Sequence, residues 1–348
     1  MEIAIMLFAA AAITLIALVV AVKLAGRKII DVSLAYPHSP EPPEPVEKGA
    51  DGLYPIPPTG PELFYGSLEP NAREVIDRNR TELDRARRIW AETHQPEKIT
   101  ITAEDGCSLA GFIYPANIPS KRWALCVHGY RGSHDEMEAV AMHYCEHGYN
   151  ALAIDLRHHG ESEGDIVGLG WLDRRDAVLW CKMLVERYGD DIAIVLHGWS
   201  MGAATVMLAS TEPDVPAQVV ACIEDCGFSS FRTLVDAAIA GIPRPIANAI
   251  IAAVKPSLQR THGIDITAPL VRERITRSTI PTFFLHGDHD PLIPPDALGE
   301  LVSACPAPNC KSWLVPQAGH CQAIIADTPQ YFAHVLAFAD SAMQAAGR

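Results

Sequence analysis

From about residue 98 onward, short apolar runs alternate with longer stretches of helical period. Runs at 99–103 and 109–114 flank Glu104-Asp105-Gly106, the signature of two strands joined by a tight turn. Runs at 123–127, 151–154, 192–196, 219–223, 282–285 and 312–315 are apolar at nearly every position, as expected of strands covered on both faces. Helical segments at 134–148, 171–188 and 201–210 separate several of these runs, and a helical segment follows each of the last two. Strands alternating with helices predict an α/β fold, a mostly parallel sheet flanked by helices. Residues 227–278 interrupt the alternation.

The first hundred residues follow other patterns. Residues 71–94 carry charges at helical spacing, with Val75, Ile76, Leu83, Ile89 and Trp90 as a sparse apolar side, which predicts a surface helix. Residues 37–61 are rich in proline, which lacks the N–H needed in helix interiors and favours an extended, semi-rigid spacer. Residues 3–22 are uncharged and apolar apart from one threonine, and about 20 such residues span a bilayer core. A cleaved signal peptide is the rival reading. Against it, no Lys or Arg precedes the run and no A-x-A site closes it. The expected organisation is a transmembrane anchor at 1–28, a spacer and leading helix at 29–95, and a catalytic domain at 96–348. Lys23, Arg27 and Lys28 directly follow the span, so the positive-inside rule places that domain in the cytoplasm.

Charge and cysteine content narrow the classes further. The formal net charge of −14 and the lack of a basic run speak against a nucleic-acid partner. The nine cysteines are an odd number, so at least one is unpaired or pairs between chains. Cys126, Cys181 and Cys222 lie in apolar stretches that read as core, a usage that fits a reducing compartment. Cys305 and Cys310 are close enough in sequence to bridge in an extracellular setting. There is no C-x-x-C pair, and His158, His159, His286 and His289 fall in separate turns without a metal-binding helix motif, so no metal or cofactor is expected.

The strongest chemical signal is Gly198-Trp199-Ser200-Met201-Gly202, between the apolar run 192–196 and a helical segment. A sharp strand-to-helix turn lifts a serine hydroxyl clear of the sheet, and the flanking glycines leave room around it. The turn also aims the Met201 N–H at a developing oxyanion. Such a serine needs a histidine base and an acid, in chain order serine, acid, histidine. His320 follows the run 312–315, and its expected role is to take the Ser200 proton and return it to the leaving group. Asp290, just past the run 282–285, is the preferred acid. Asp288 in the same turn and Asp225 past the run 219–223 are the alternatives. His128-Gly129-Tyr130 follows the run 123–127, and the Tyr130 N–H is the expected second oxyanion donor. The turn from Asp155 to Ser162 is expected to be structural, and Cys321 is expected to be a buried thiol.

Taken in order, His128-Gly129, the Asp155-x-Arg157-x-His159-Gly160-x-Ser162 turn, Gly198-x-Ser200-Met201-Gly202, His286-Gly287-x-x-Asp290 and Gly319-His320 resemble the α/β-hydrolase superfamily over about residues 97–342. The nearest branch is similar to the serine aminopeptidase-like hydrolases, which include monoacylglycerol lipases and bacterial membrane-anchored hydrolases. The resemblance implies Ser200 as nucleophile, Asp290 as acid, His320 as base, and Tyr130 and Met201 as oxyanion donors. It implies a short helical cap at 227–278. It departs from many relatives at Trp199, beside the serine, a position expected to flank the substrate. The expected function is cleavage of a carboxylic ester with an apolar acyl group. The alternatives are peptidase or amidase action by the same triad, and a non-catalytic anchored scaffold.

Overall fold

Along each strand, successive side chains point to opposite faces, so a strand that is apolar throughout feeds two cores. In the strand Arg122–Val127 (β3), Leu125 and Val127 enter one buried cluster while Ala124 and Cys126 enter another. The same division runs through the computed structural model, which describes residues 47–50, 52, 67–238, 243–265, 267 and 270–347. The anchor expected at 3–22 and most of the proline-rich segment lie outside the described residues. Among the described residues, no helix is long and apolar enough to cross a membrane.

Eight strands form one sheet. Glu97–Thr102 (β1) and Ser108–Tyr114 (β2) make the hairpin read from the sequence. Besides β3, the others are Asn150–Ile154 (β4), Ala193–Trp199 (β5), Val219–Asp225 (β6), Thr282–Gly287 (β7) and Lys311–Val315 (β8). Their order is β1-β2-β4-β3-β5-β6-β7-β8. The β1–β2 and β2–β4 pairs are antiparallel and the rest are parallel, so the sheet is mostly parallel as expected. β5 and β6 run past the apolar stretches that predicted them, because their ladder continues through Gly198↔Glu224 and Trp199↔Asp225. β5 therefore ends immediately before Ser200.

Helices cover both faces. Pro70–Ala91 (α1) is the leading helix expected at 71–94, and it buries Ile76 and Trp90. With His134–Glu146 (α2), the short Ala323–Ala326 (α9) and Thr328–Ala345 (α10), it packs on one core. Asp173–Tyr188 (α3), Met201–Ala209 (α4), Arg244–His262 (α6), Leu270–Ile275 (α7) and Asp296–Ala304 (α8) contribute to the other. Phe231–Ala238 (α5) opens the segment expected as a cap. Much of that segment packs on the sheet: Ile250, Ile251, Val254 and Leu258 of α6 belong to the core, as do Val271 and Ile275 of α7. Ile246, at the start of α6, is 51% exposed.

Candidate active site

The turn after β5 is shaped by two close approaches. A Cβ at Gly198 would stand 2.3 Å from the Gly202 carbonyl oxygen, and a Cβ at Gly202 would stand 2.2 Å from that of Val127. No side chain fits at either place, so the glycines of the motif are required by packing. Between them Ser200 holds φ 51° and ψ −111°, a conformation that non-glycine residues adopt only under constraint, at a cost of about 1–3 kcal/mol. The constraint is visible: the Ser200 N–H donates to the Asp225 carbonyl at 2.8 Å, and the Ser200 carbonyl accepts from the Ala204 N–H in the first turn of α4.

Three side chains from three strand ends meet here. The Oγ of Ser200, after β5, lies 2.8 Å from Nε2 of His320, in the turn after β8. The Nδ1 of His320 lies 2.7 Å from Oδ2 of Asp290, in the turn after β7. The other Asp290 oxygen accepts the N–H groups of Leu292 and Ile293, both at 2.8 Å. All three side chains are buried. Burial pushes the Asp290 carboxyl upward, but hydrogen bonds from His286 and His320 outweigh it and hold the group well below the usual carboxylate range. Burial disfavours the His320 imidazolium, but the Cys226 sulfur and the Asp290 carboxylate oppose that and keep its pKa well above the ordinary histidine value.

The two alternative acids are placed elsewhere. Asp288 accepts from the ring of its neighbour His289 at 2.5 Å. The Asp225 carboxylate accepts from the Tyr331 hydroxyl at 3.0 Å, and burial raises its pKa to about 6. That tyrosine belongs to a buried polar chain which nothing in the local sequence signals. Its oxygen accepts from the Trp199 indole at 3.3 Å and hydrogen-bonds Nε2 of His197 at 3.0 Å. The Nδ1 of His197 is 3.3 Å from the Tyr144 hydroxyl. Because Tyr331 donates to Asp225, the chain is consistent with His197 protonated at Nε2. Burial lowers the His197 pKa to about 3, so the ring is neutral. Trp199, expected to flank the substrate, is mostly buried, as Ser200 is, with its ring edge tied to Tyr331.

The oxyanion candidates lie on either side of the serine. Met201 is the first residue of α4, in the turn whose N–H groups have no intrahelical acceptor. A Cβ at Gly129 would be 3.5 Å from the Ser200 Cβ, which brings the Gly129–Tyr130 peptide alongside the serine. His128 pins this loop: its ring bonds the Gly129 carbonyl at 2.6 Å and accepts the Leu156 N–H at 3.0 Å. The Asp155–Ser162 turn braces the loop from below. Asp155 accepts the N–H groups of His134 and Glu161, and Arg157 makes a two-point contact with Asp176. Two grooves, of about 910 and 640 Å³, are lined by other parts of the surface, and neither includes a member of the Ser200–His320–Asp290 set. Among the described residues, none of the four histidines considered for a metal joins a potential metal-binding group.

Residues 119–269 match the family model described as serine aminopeptidase, S33. A multifunctional-autoprocessing repeats-in-toxin protein of Vibrio cholerae is 32% identical over 149 residues, which are 40% of this chain and 3% of the toxin. The chain thus spans only a small part of that relative. Among solved structures, a Pyrococcus furiosus esterase superposes with a TM-score of 0.59 at 21% identity, covering 72% of this chain and 92% of the esterase. The α/β hydrolase GrgF from a Penicillium species gives 0.56 at 18% identity, covering 72% and 99%. Likeness at that identity shows the fold. The chain has the α/β-hydrolase fold, and residues 119–269, less than half of its length, are similar to the serine aminopeptidase family.

Proposed function

We propose that the chain is a serine hydrolase that cleaves carboxylic esters with an apolar acyl group. The observation that carries this reading is the unbroken hydrogen-bond chain Ser200–His320–Asp290. In the proposed cycle, His320 takes the Ser200 proton as Oγ attacks the ester carbonyl. The N–H groups of Tyr130 and Met201 receive the oxyanion, a contribution of about 3–4 kcal/mol per donor in the transition state. His320 then protonates the departing alcohol, and a water activated by the same ring releases the acid from the acyl-enzyme. Asp290 keeps the proton of the neutral ring on Nδ1 and stabilises the imidazolium. Trp199 supports the serine through packing.

The family's description as aminopeptidase favours a second reading, in which the same residues cleave an amide. A screen of acyl esters against aminoacyl amides separates the two. Labelling by a fluorophosphonate separates either enzyme from a scaffold: the wild type is expected to label, and Ser200→Ala to lose both labelling and turnover by a factor of about 10⁴–10⁶. Turnover that survives in a clean Ser200→Ala preparation would sink the assignment. Attachment to a membrane through residues 3–22, with the catalytic domain on the cytoplasmic side, is proposed from the sequence.

A further inference from the structure

Cys226 directly follows β6 and Cys321 directly follows His320. They are 95 positions apart in the chain, yet their sulfurs lie 3.4 Å apart. Both hold left-handed backbone, at φ 52° and 55°, which a non-glycine residue keeps only where its surroundings enforce it. The two sulfurs and a ring nitrogen of His320 all lie within 4.8 Å of one another. Cys226 and His320 are buried and Cys321 is partly exposed as a residue.

We propose that Cys226, Cys321 and His320 bind a thiophilic divalent cation, Zn²⁺ or its analogue Cd²⁺, and that the bound ion switches the enzyme off. Two thiolates and an imidazole form a donor set suited to zinc, with the fourth tetrahedral position left to water. Zinc–sulfur bonds of about 2.3 Å in a tetrahedron set the sulfurs about 3.8 Å apart, a few tenths of an ångström wider than they stand now. A disulfide of about 2.05 Å would need a far larger closure, which favours the ion over oxidation. Binding releases one proton from each thiol to solvent, and the extra proton of the His320 ring where it is protonated, and transfers no electrons, so it strengthens as pH rises.

The inhibitory half of this inference rests on the hydrolase reading; the binding half does not. Both ring nitrogens of His320 are engaged, one with Ser200 at 2.8 Å and one with Asp290 at 2.7 Å. The ion takes one of them, and the ring can then no longer relay the proton. The Cys305–Cys310 pair, with sulfurs 3.6 Å apart, has no comparable imidazole and joins no potential metal-binding group among the described residues.

The test uses the full chain in detergent, reduced and stripped of metal. Cd²⁺ is titrated while thiolate-to-metal charge-transfer absorption and ester hydrolysis are followed together. One Cd²⁺ per chain is expected, with the signal kept in Cys305→Ser/Cys310→Ser and lost in Cys226→Ser/Cys321→Ser. Inhibition of the latter variant should need at least on the order of 100-fold more Zn²⁺, since losing two ligands costs a metal site more than the roughly 10–100-fold that losing an outer partner does. The single Cys321→Ser variant, at the partly exposed position, serves if the double variant misfolds, and it should show the same loss. A charge-transfer signal that survives in folded Cys321→Ser or the double variant overturns the site. A Cd²⁺ signal at the site without inhibition of hydrolysis overturns the switch. A chain that hydrolyses nothing overturns the hydrolase reading, while the absorption titration still decides the site.

Discussion

Nε2 of His320 lies 2.8 Å from Oγ of Ser200, across 120 positions of sequence. The opposite ring nitrogen faces Asp290, while the Asp225 carboxylate is occupied by Tyr331. Asp290→Asn is therefore expected to lower kcat by roughly 10⁴, because the histidine is left in the wrong tautomer. Asp225→Asn should be far milder, since its main-chain carbonyl still holds the Ser200 N–H. Steady-state kinetics on both variants decides the matter, and a crippled Asp225→Asn enzyme would move the acid to β6.

On the proposed mechanism, activity needs His320 neutral before it can accept the serine proton. Its pKa in the free enzyme is held above 6.5, first against burial and then by the Cys226 and Asp290 contacts. The acid limb of kcat/KM should consequently fall above pH 6.5, with activity rising as pH increases through it. A limb at or below that value contradicts the electrostatic picture of the site.

Glu224 is a fully buried carboxyl at the end of β6, one of its oxygens accepting the Gly227 N–H at 3.0 Å. Burial raises its pKa from 4.5 to about 8. The folded protein thus keeps a proton that the unfolded chain loses above pH 4.5. Stability drains between about pH 4.5 and 8 and is level beyond. A tenfold difference in proton affinity between the folded and unfolded chain is worth about 1.4 kcal/mol, so Glu224→Gln should gain up to a few kcal/mol at pH 8.5 and almost nothing at pH 4. Urea melts at the two pH values measure this; an equal effect at both would show that the carboxyl does not titrate as described.

Substrate length should be read at the start of α6. Ile246 is exposed whereas Ile250 lies in the core. Each added methylene that finds apolar cover contributes about 0.8 kcal/mol, or roughly fourfold in specificity. Specificity for p-nitrophenyl esters should rise over several carbons, and Ile246→Asp should flatten the rise without lowering Tm. Ile250→Asp should lower Tm by burying an unpaired charge. A wild-type profile flat from acetate to octanoate would favour the amide reading.

Removal of residues 1–28 should convert a membrane-bound chain into a soluble, active one. Full-length protein is expected to resist alkaline carbonate extraction. A product trimmed near residue 26 and found in the medium would instead indicate a signal peptide.

Much of the fold and the candidate site is legible because the cues are local. The apolar runs at 123–127 and 282–285 match β3 and β7 within two residues, since an all-apolar run of that length fits a strand covered on both faces. Ser200 is marked by neighbours that lie within two positions of it. The acid is harder, because Asp288, Asp290 and Asp225 all follow strands and only three-dimensional packing shows which of them meets His320. The His197–Tyr331–Trp199 chain is invisible: a histidine extending an apolar run reads as core, and Tyr331 is 134 positions away. The burial of Trp199 was hidden for the same reason, as was the meeting of Cys226 with Cys321.

The parallel sheet places Ser200, Asp290 and His320 on separate strand ends, and the last of them arrives only after β8. A nascent chain can complete β5 and the elbow long before the base exists. Until β7 and β8 have docked beside β6, the serine has no partner to take its proton. On the proposed mechanism, hydrolytic competence is accordingly a late event in folding, and a product of premature termination between residues 200 and 320 would carry the nucleophile yet remain chemically silent.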